Sequence, residues 1–245
     1  MRRRHEPAGG MRARDRLIVA LDDPSLAEAL RMARQLAGLV RTLKVGSALF
    51  TACGPVAVAR LRALSFQVML DLKFFDIPST VALSCRAAAR QRASFVTVHA
   101  AGGRAMLEAA VSGARAEAAR MGAARPQVLA VTVLTSVGEL RAASVRARVV
   151  RLAQAALAAG CDGVVASAKE ARALRRAFGT RLAIVCPGIR PSRARRRDQR
   201  RVATPREALA RGADWLVVGR PITDARRPRA AAQRILSEME DVDGC

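Results

Sequence analysis

Asp71-Leu72-Lys73-Phe74-Phe75-Asp76 sets two carboxylates around one lysine, directly after an apolar run, Phe66-Gln67-Val68-Met69-Leu70, that reads as a buried strand. Acids and an ammonium at such an exit are costly to desolvate unless they pair with each other or with a ligand. The lysine is the telling residue. The chain has three lysines, Lys44, Lys73 and Lys169, and 40 of its 43 basic residues are arginine. Arginine holds its charge, whereas a lysine tuned by its surroundings gives up a proton. A chain that otherwise chooses arginine has kept proton-donating cations at two strand ends. A plain structural ion pair would use the same residue types, so the weight falls on what surrounds them.

Those surroundings are repetitive. Runs rich in β-formers occur at Leu17–Leu21, Thr42–Val45, Gln67–Leu70, Phe95–Val98, Val128–Leu134, Gly163–Val165, Leu182–Val185 and Trp215–Val218. Most are continuously apolar, as parallel strands covered on both faces are. Helical patterns separate them. Asp23-Pro24 offers an N-cap with Pro in the first turn, and Leu26, Leu30, Ala33 and Ala37 mark one face. Ser79 is expected to cap a helix burying Val81, Ala82, Cys85 and Ala89. Gly103–Met121 and Val145–Ala159 read as longer helices, with Gly160 as a stop. Strand and helix alternating in this way predict a single α/β domain, a (β/α)8 (TIM) barrel over residues 16–240. Residues 1–15 read as a disordered basic tail without the apolar segment of a secretory signal.

In such a barrel the strand C-termini meet at one mouth, where the active site sits. The residues there are Asp22, Lys44, Asp71 with Lys73, His99, Thr135, Ser167, Gly188 with Arg190, and Gly219 with Arg220. Acids and lysines fall on the first three strands, Gly plus Arg on the last two. The latter is where barrels hold a substrate phosphate with backbone N–H groups and a guanidinium fork. A phosphorylated ligand is therefore expected, with its reacting end over Lys44, Asp71 and Lys73. His99, Cys186 and Trp215 have plainer readings: an interior hydrogen-bonding residue, core, and packing on the barrel wall.

The chain has 245 residues, of which 51% are hydrophobic and 3% aromatic, so the core is built from Ala, Val and Leu. A net charge of +23 suggests nucleic acid, but the arginines are scattered, Tyr is absent and no stacking aromatics interleave with them. No nucleic-acid partner is expected, and a salt-resistant duplex complex would overturn that. No run of 18 apolar residues suggests a membrane span. Cys53, Cys85, Cys161, Cys186 and Cys245 show no metal-ligand spacing and fit reduced thiols in a cytoplasmic protein.

From Leu17 to Ile235 the ordered motifs closely resemble the orotidine 5′-phosphate decarboxylase family. They are Ile18-Val19-Ala20-Leu21-Asp22, Leu43-Lys44-Val45-Gly46, Asp71–Val81, Val131-Thr132-Val133-Leu134-Thr135-Ser136, Pro187-Gly188-Ile189-Arg190-Pro191, Asp198-Gln199 and Val218-Gly219-Arg220-Pro221-Ile222-Thr223. The resemblance implies a cofactor-free, metal-free enzyme in which Lys73 protonates the carbon that loses CO2 and Asp71 lies beside the departing carboxylate. Lys44 and Asp76 would complete a Lys-Asp-Lys-Asp array, with Asp76 and Thr80 reaching in from the neighbouring subunit of a homodimer. Asp22 and Lys44 would hold ribose hydroxyls, and Thr135 with Ser136 the pyrimidine edge. Gln199, Arg220 and the Gly219 N–H would bind phosphate, while Arg190 and Pro187 shape a loop over the ligand within Pro187–Pro205. Phe75, Ser79 and Arg197 depart from the family's usual His, Asn and Gly, and the stretch after Ser136 is short. The rival within the superfamily is a metal-dependent sugar-phosphate decarboxylase or synthase, which typically carries Glu where this chain has Lys44.

Overall fold

The computed structural model describes residues 11–134, 142–191 and 203–240. Eight parallel strands close into a barrel in sequence order: β1 Leu17–Leu21, β2 Thr42–Gly46, β3 Gln67–Phe74, β4 Phe95–His99, β5 Gln127–Val131, β6 Gly163–Val165, β7 Ala183–Cys186 and β8 Trp215–Val218. The (β/α)8 expectation is met. The helices are α1 Ala13–Arg16, α2 Leu26–Leu36, α3 Ser47–Cys53, α4 Pro55–Ala63, α5 Pro78–Arg90, α6 Gly103–Arg120, α7 Ala142–Ala158, α8 Ala168–Phe178, α9 Pro205–Ala210, α10 Arg220–Thr223 and α11 Pro228–Glu240.

The period of two along each strand sorts side chains into two layers. Ile18, Ala20, Met69, Phe95, Leu129, Val185, Trp215 and their neighbours fill the barrel interior. Val19, Leu43, Val68, Val96, Ile184 and Val218 instead pack outward against the helices. Trp215, expected on the barrel wall, lies inside it with its ring edge-on to Phe95, centroids 5.5 Å apart. Cys186 is core, and burial pushes the Cys85 and Cys161 thiols up to about 12, which leaves them inert.

Several boundaries differ from the sequence reading. Ser25 caps α2 by accepting the Glu28 N–H, because the Asp23 carboxylate is taken by the Ser25 N–H in a local turn. Ser79 is not a cap: Pro78 opens α5 after Ile77, since Pro needs no N–H partner in a first turn. Strand β5 stops at Val131, where Thr132 turns both its N–H and its hydroxyl to the Val165 carbonyl at 3.1 and 2.9 Å. Strand β3 runs on through Phe74, carrying Asp71 and Lys73 with it. Gly160 ends its helix with φ +86°, as expected.

Residues 11–15, expected within the basic tail, instead join the barrel's N-terminal end; residues 1–10 lie outside the described residues. Ala13 is buried and Met11 packs on the interior cluster. Arg16 donates to the carbonyls of Ala213 and Asp214 at 3.0 and 3.2 Å. The Asp214 carboxylate in turn accepts from Arg175 and from the Ile184 N–H, both at 2.7 Å. This end of the barrel is sealed, so the opposite end is left for chemistry.

Candidate active site

The parity that fills the interior also aims the charged residues. Ile18, Ala20 and then Asp22 share one face of β1 and its exit, and Met69 then Asp71 share one face of β3. Lys44 and Gly46 take the corresponding face of β2, between Leu43 and Val45 in the outward layer. At the C-terminal mouth these side chains converge on a cavity of about 250 Å³.

Asp71 is its centre. One carboxylate oxygen, Oδ2, lies 2.9 Å from Lys73 Nζ and 3.5 Å from Lys44 Nζ. The other, Oδ1, accepts a 2.9 Å hydrogen bond from the Thr97 hydroxyl. Lys44 is itself held by Asp22 Oδ1 at 2.8 Å. The result is a chain of alternating charge, Asp22–Lys44–Asp71–Lys73. Burial alone would raise the pKa of Asp71; Lys44 and Lys73, with hydrogen bonds from Lys73 and Thr97, outweigh it and hold the carboxyl below its ordinary value. Two cations on one oxygen give a carboxylate that stays ionised though it is only 9% exposed. Lys73 is the more accessible ammonium, its side chain 35% exposed against 10% for Lys44.

The last two strands line the same cavity with Pro187, Gly188 and Arg190, and with Gly219, Arg220 and Pro221. Ile189 pairs with Ala203, and the Arg190 N–H donates to the Ala203 carbonyl at 3.0 Å, so the chain leaves and re-enters the barrel at adjacent points. Val133 and Leu134 supply apolar wall beyond β5. The array of acids and lysines and the pair of arginines thus share one space, as the strand ends foretold.

Other expected residues lie outside this array. Asp76 is exposed, and its Oδ1 accepts the N–H of the adjacent Ile77 at 2.6 Å; no bond joins it to the Asp71–Lys73 pair of its own chain among the described contacts. Thr80 is likewise exposed on the first turn of α5. Ser167 caps α8 rather than lining the cavity. His99 packs against Phe75 with ring centroids 5.5 Å apart and planes tilted by 54°, and burial and then Lys73 hold its pKa below the ordinary value. Thr135, Ser136, Arg197, Asp198 and Gln199 lie outside the described residues, as does most of the expected lid. Thr97 was missed by the motif reading. Its signal was alternation: Phe95, Thr97 and His99 share the inward parity of β4.

Fold and site together give a (β/α)8 barrel that gathers an array of acids and lysines at its strand C-terminal mouth, the end where enzymes of this fold carry their active sites. A family model for the orotidine 5′-phosphate decarboxylase / HUMPS family matches residues 15–235, and the chain belongs to that family. Among curated relatives, the orotidine 5′-phosphate decarboxylase of Moorella thermoacetica is 48% identical, covering 95% of each chain. That of Halorhodospira halophila is 51% identical over 91% of this chain and 95% of its own. Among solved structures, the orotidine 5′-phosphate decarboxylase from Lactobacillus acidophilus superposes with a TM-score of 0.80 at 35% identity, covering 92% of this chain and 99% of that one.

Proposed function

We propose that this protein decarboxylates orotidine 5′-phosphate to UMP and CO2 without a metal or other cofactor, the last step of de novo pyrimidine nucleotide synthesis, as a cytoplasmic homodimer whose barrel domain spans residues 16–240. The observation that carries this reading is the Asp71 carboxylate held between Lys73 and Lys44 in one cavity with Arg190 and Arg220.

The chemistry accounts for the residue types. Breaking the C6–carboxylate bond leaves its electron pair on C6 as a vinyl carbanion that has no neighbouring carbonyl to accept it. Stabilisation must come from charge fixed in advance, and an ammonium aimed at C6 supplies it. Lys73 then gives its proton to C6 and recovers one from water. Asp71 lies beside the departing carboxylate and keeps Lys73 oriented. Asp22 and Lys44 hold ribose hydroxyls. Arg220, the Gly219 N–H and Gln199 take the phosphate, Thr135 with Ser136 the pyrimidine edge, and Arg190 and Pro187 shape the loop over the ligand. Binding energy from the distant phosphate is then available to exclude water from the reacting end.

Two further features support the finer points. Phe75, Ile77 and Leu83 are 62%, 63% and 62% exposed within nine residues, and Asp76 and Thr80 lie among them. An apolar patch surrounding polar residues that their own site does not use is what a subunit interface with shared sites looks like. The second feature is the pairing at Asp71. Two ammonium groups on one oxygen repel a divalent cation, which weighs against the metal-dependent sugar-phosphate reading. The deciding assay follows orotidine 5′-phosphate absorbance with purified protein in EDTA and no added cofactor. Full activity is expected; loss restored by Mg²⁺ would favour the rival.

Gly46 offers a second handle on the same array. A Cβ there would lie 3.0 Å from both Asp22 Oδ1 and Lys44 Nζ, closer than ordinary contact allows. Both are ends of flexible side chains, so the barrel survives while the pair moves. The neighbours need give way by only a few tenths of an ångström, so Gly46→Ala is expected to lower kcat/KM by up to about 10-fold, short of the roughly 100-fold that goes with a misplacement of about 1 Å, with little change in Tm. Unchanged kinetics in a folded variant would show that the Asp22–Lys44 pair has no fixed position to lose.

A further inference from the structure

Thr97 is fully buried on β4, facing the barrel interior. Its hydroxyl makes two hydrogen bonds of 2.9 Å, accepting the backbone N–H of Lys73 and donating to Asp71 Oδ1. A hydroxyl has one proton. Because the Lys73 N–H can only donate, that proton is directed to Asp71, whose Oδ1 must then act as acceptor. The lysine needs such a partner. Ladder pairing between β3 and β4 shifts between Leu70 and Phe74, and Lys73 sits in that irregularity with φ +51°, a left-handed conformation uncommon for a residue with a side chain.

We propose that Thr97 is a positioning residue for the decarboxylation: one hydroxyl pins the backbone that carries Lys73 and the carboxylate that orients its ammonium. This rests on the proposed activity for its kinetic consequence, and on geometry alone for its effect on Asp71. Among the described residues, Lys44 on β2, with Asp22 just past the β1 exit behind it, Lys73 on β3 and His99 on β4 are the charged and titratable groups around that carboxylate, and Arg190 and Arg220 line the same cavity. The Thr97 bond favours the ionised form, as the lysines do; His99 is held below its ordinary pKa, largely by burial.

Thr97→Val keeps the shape and removes the hydroxyl, and Thr97→Ser keeps the hydroxyl. In Thr97→Val, kcat on orotidine 5′-phosphate is expected to fall about 10- to 100-fold, the loss that goes with a hydrogen bond to a charged group, with KM changed less than about threefold. Thr97→Ser should recover to within about threefold of the parent. Titration of the ¹³C-labelled Asp71 carboxyl in substrate-free protein supplies the readout that a merely structural role would not move. Asp71 should titrate at higher pH in Thr97→Val and at the parental pH in Thr97→Ser. If the parent protein does not decarboxylate the substrate but the carboxyl signal still moves, the decarboxylase reading falls, and of the Thr97 assignment only its hold on the Asp71 carboxylate stands. If the parent is active and a folded Thr97→Val keeps both its kcat and its Asp71 titration, the assignment of Thr97 is overturned. Should the valine variant not fold, Thr97→Ala is read by the same two measurements.

Discussion

Lys73→Ala is expected to lower UMP production by at least about 10⁴-fold, because one side chain is asked for two contributions. Removing a preorganised electrostatic donor costs roughly 10²–10³. Removing a positioned proton donor costs roughly 10²–10⁴. The nearest remaining ammonium, Lys44, is held at 2.8 Å by Asp22 and cannot take both places. Lys73→Arg separates the contributions: a cation remains but surrenders its proton far less readily, so it should stay within about tenfold of Lys73→Ala. Near-normal UMP production by either folded variant would defeat the mechanism. The substitution should also move acid sensitivity. The Asp71 carboxyl is held below its ordinary pKa in the folded protein, so its ionisation stabilises the fold above the ordinary carboxylate range, and that stability is lost as pH falls through the folded value. With Lys73 gone, burial is opposed by fewer cations, the folded pKa rises, and acid unfolding should begin at higher pH.

Mixing Lys73→Ala with Asp76→Ala is expected to restore activity that neither variant has alone. Asp76 accepts the N–H of the next residue, Ile77, and faces outward between Phe75 and Ile77, while Lys73 lines the cavity of its own barrel. If each site takes Asp76 from the partner, a mixed dimer has one site with both defects and one with neither. Random exchange makes half of the dimers mixed, so recovery should approach about a quarter of the parental rate. Exchange is verified separately with differently tagged subunits. Verified exchange without recovery would mean that each barrel builds its site alone, and the exposed apolar patch would then need another occupant.

The barrel was legible because its signal is redundant: eight apolar runs, each followed by a helical pattern, leave few other closed arrangements. Asp22, Lys44, Asp71 and Lys73 were legible for the same reason, since strand ends of one parity meet at one mouth. Local competition was harder to read. Asp23 and Ser25 both cap helices well, and only the turn between them decides which does so. Asp76 was placed through family resemblance rather than spacing, and its outward position could not be read from the hexapeptide. Thr97 escaped because a single hydroxyl in an apolar strand looks like any β-branched residue until its neighbours across β3 are known.

The seal at the barrel's N-terminal end has a consequence for how the chain reaches this state. Arg16 closes onto Ala213 and Asp214, and β1 pairs with β8, across separations of nearly the whole chain. During synthesis the first strand must wait, its edge unpaired, until the last has been made. Such non-local closure is slow, and the open intermediate presents two strand edges to other chains. Fragments lacking β8 should therefore aggregate rather than fold in part, and refolding yield should fall with protein concentration more steeply than native stability would suggest.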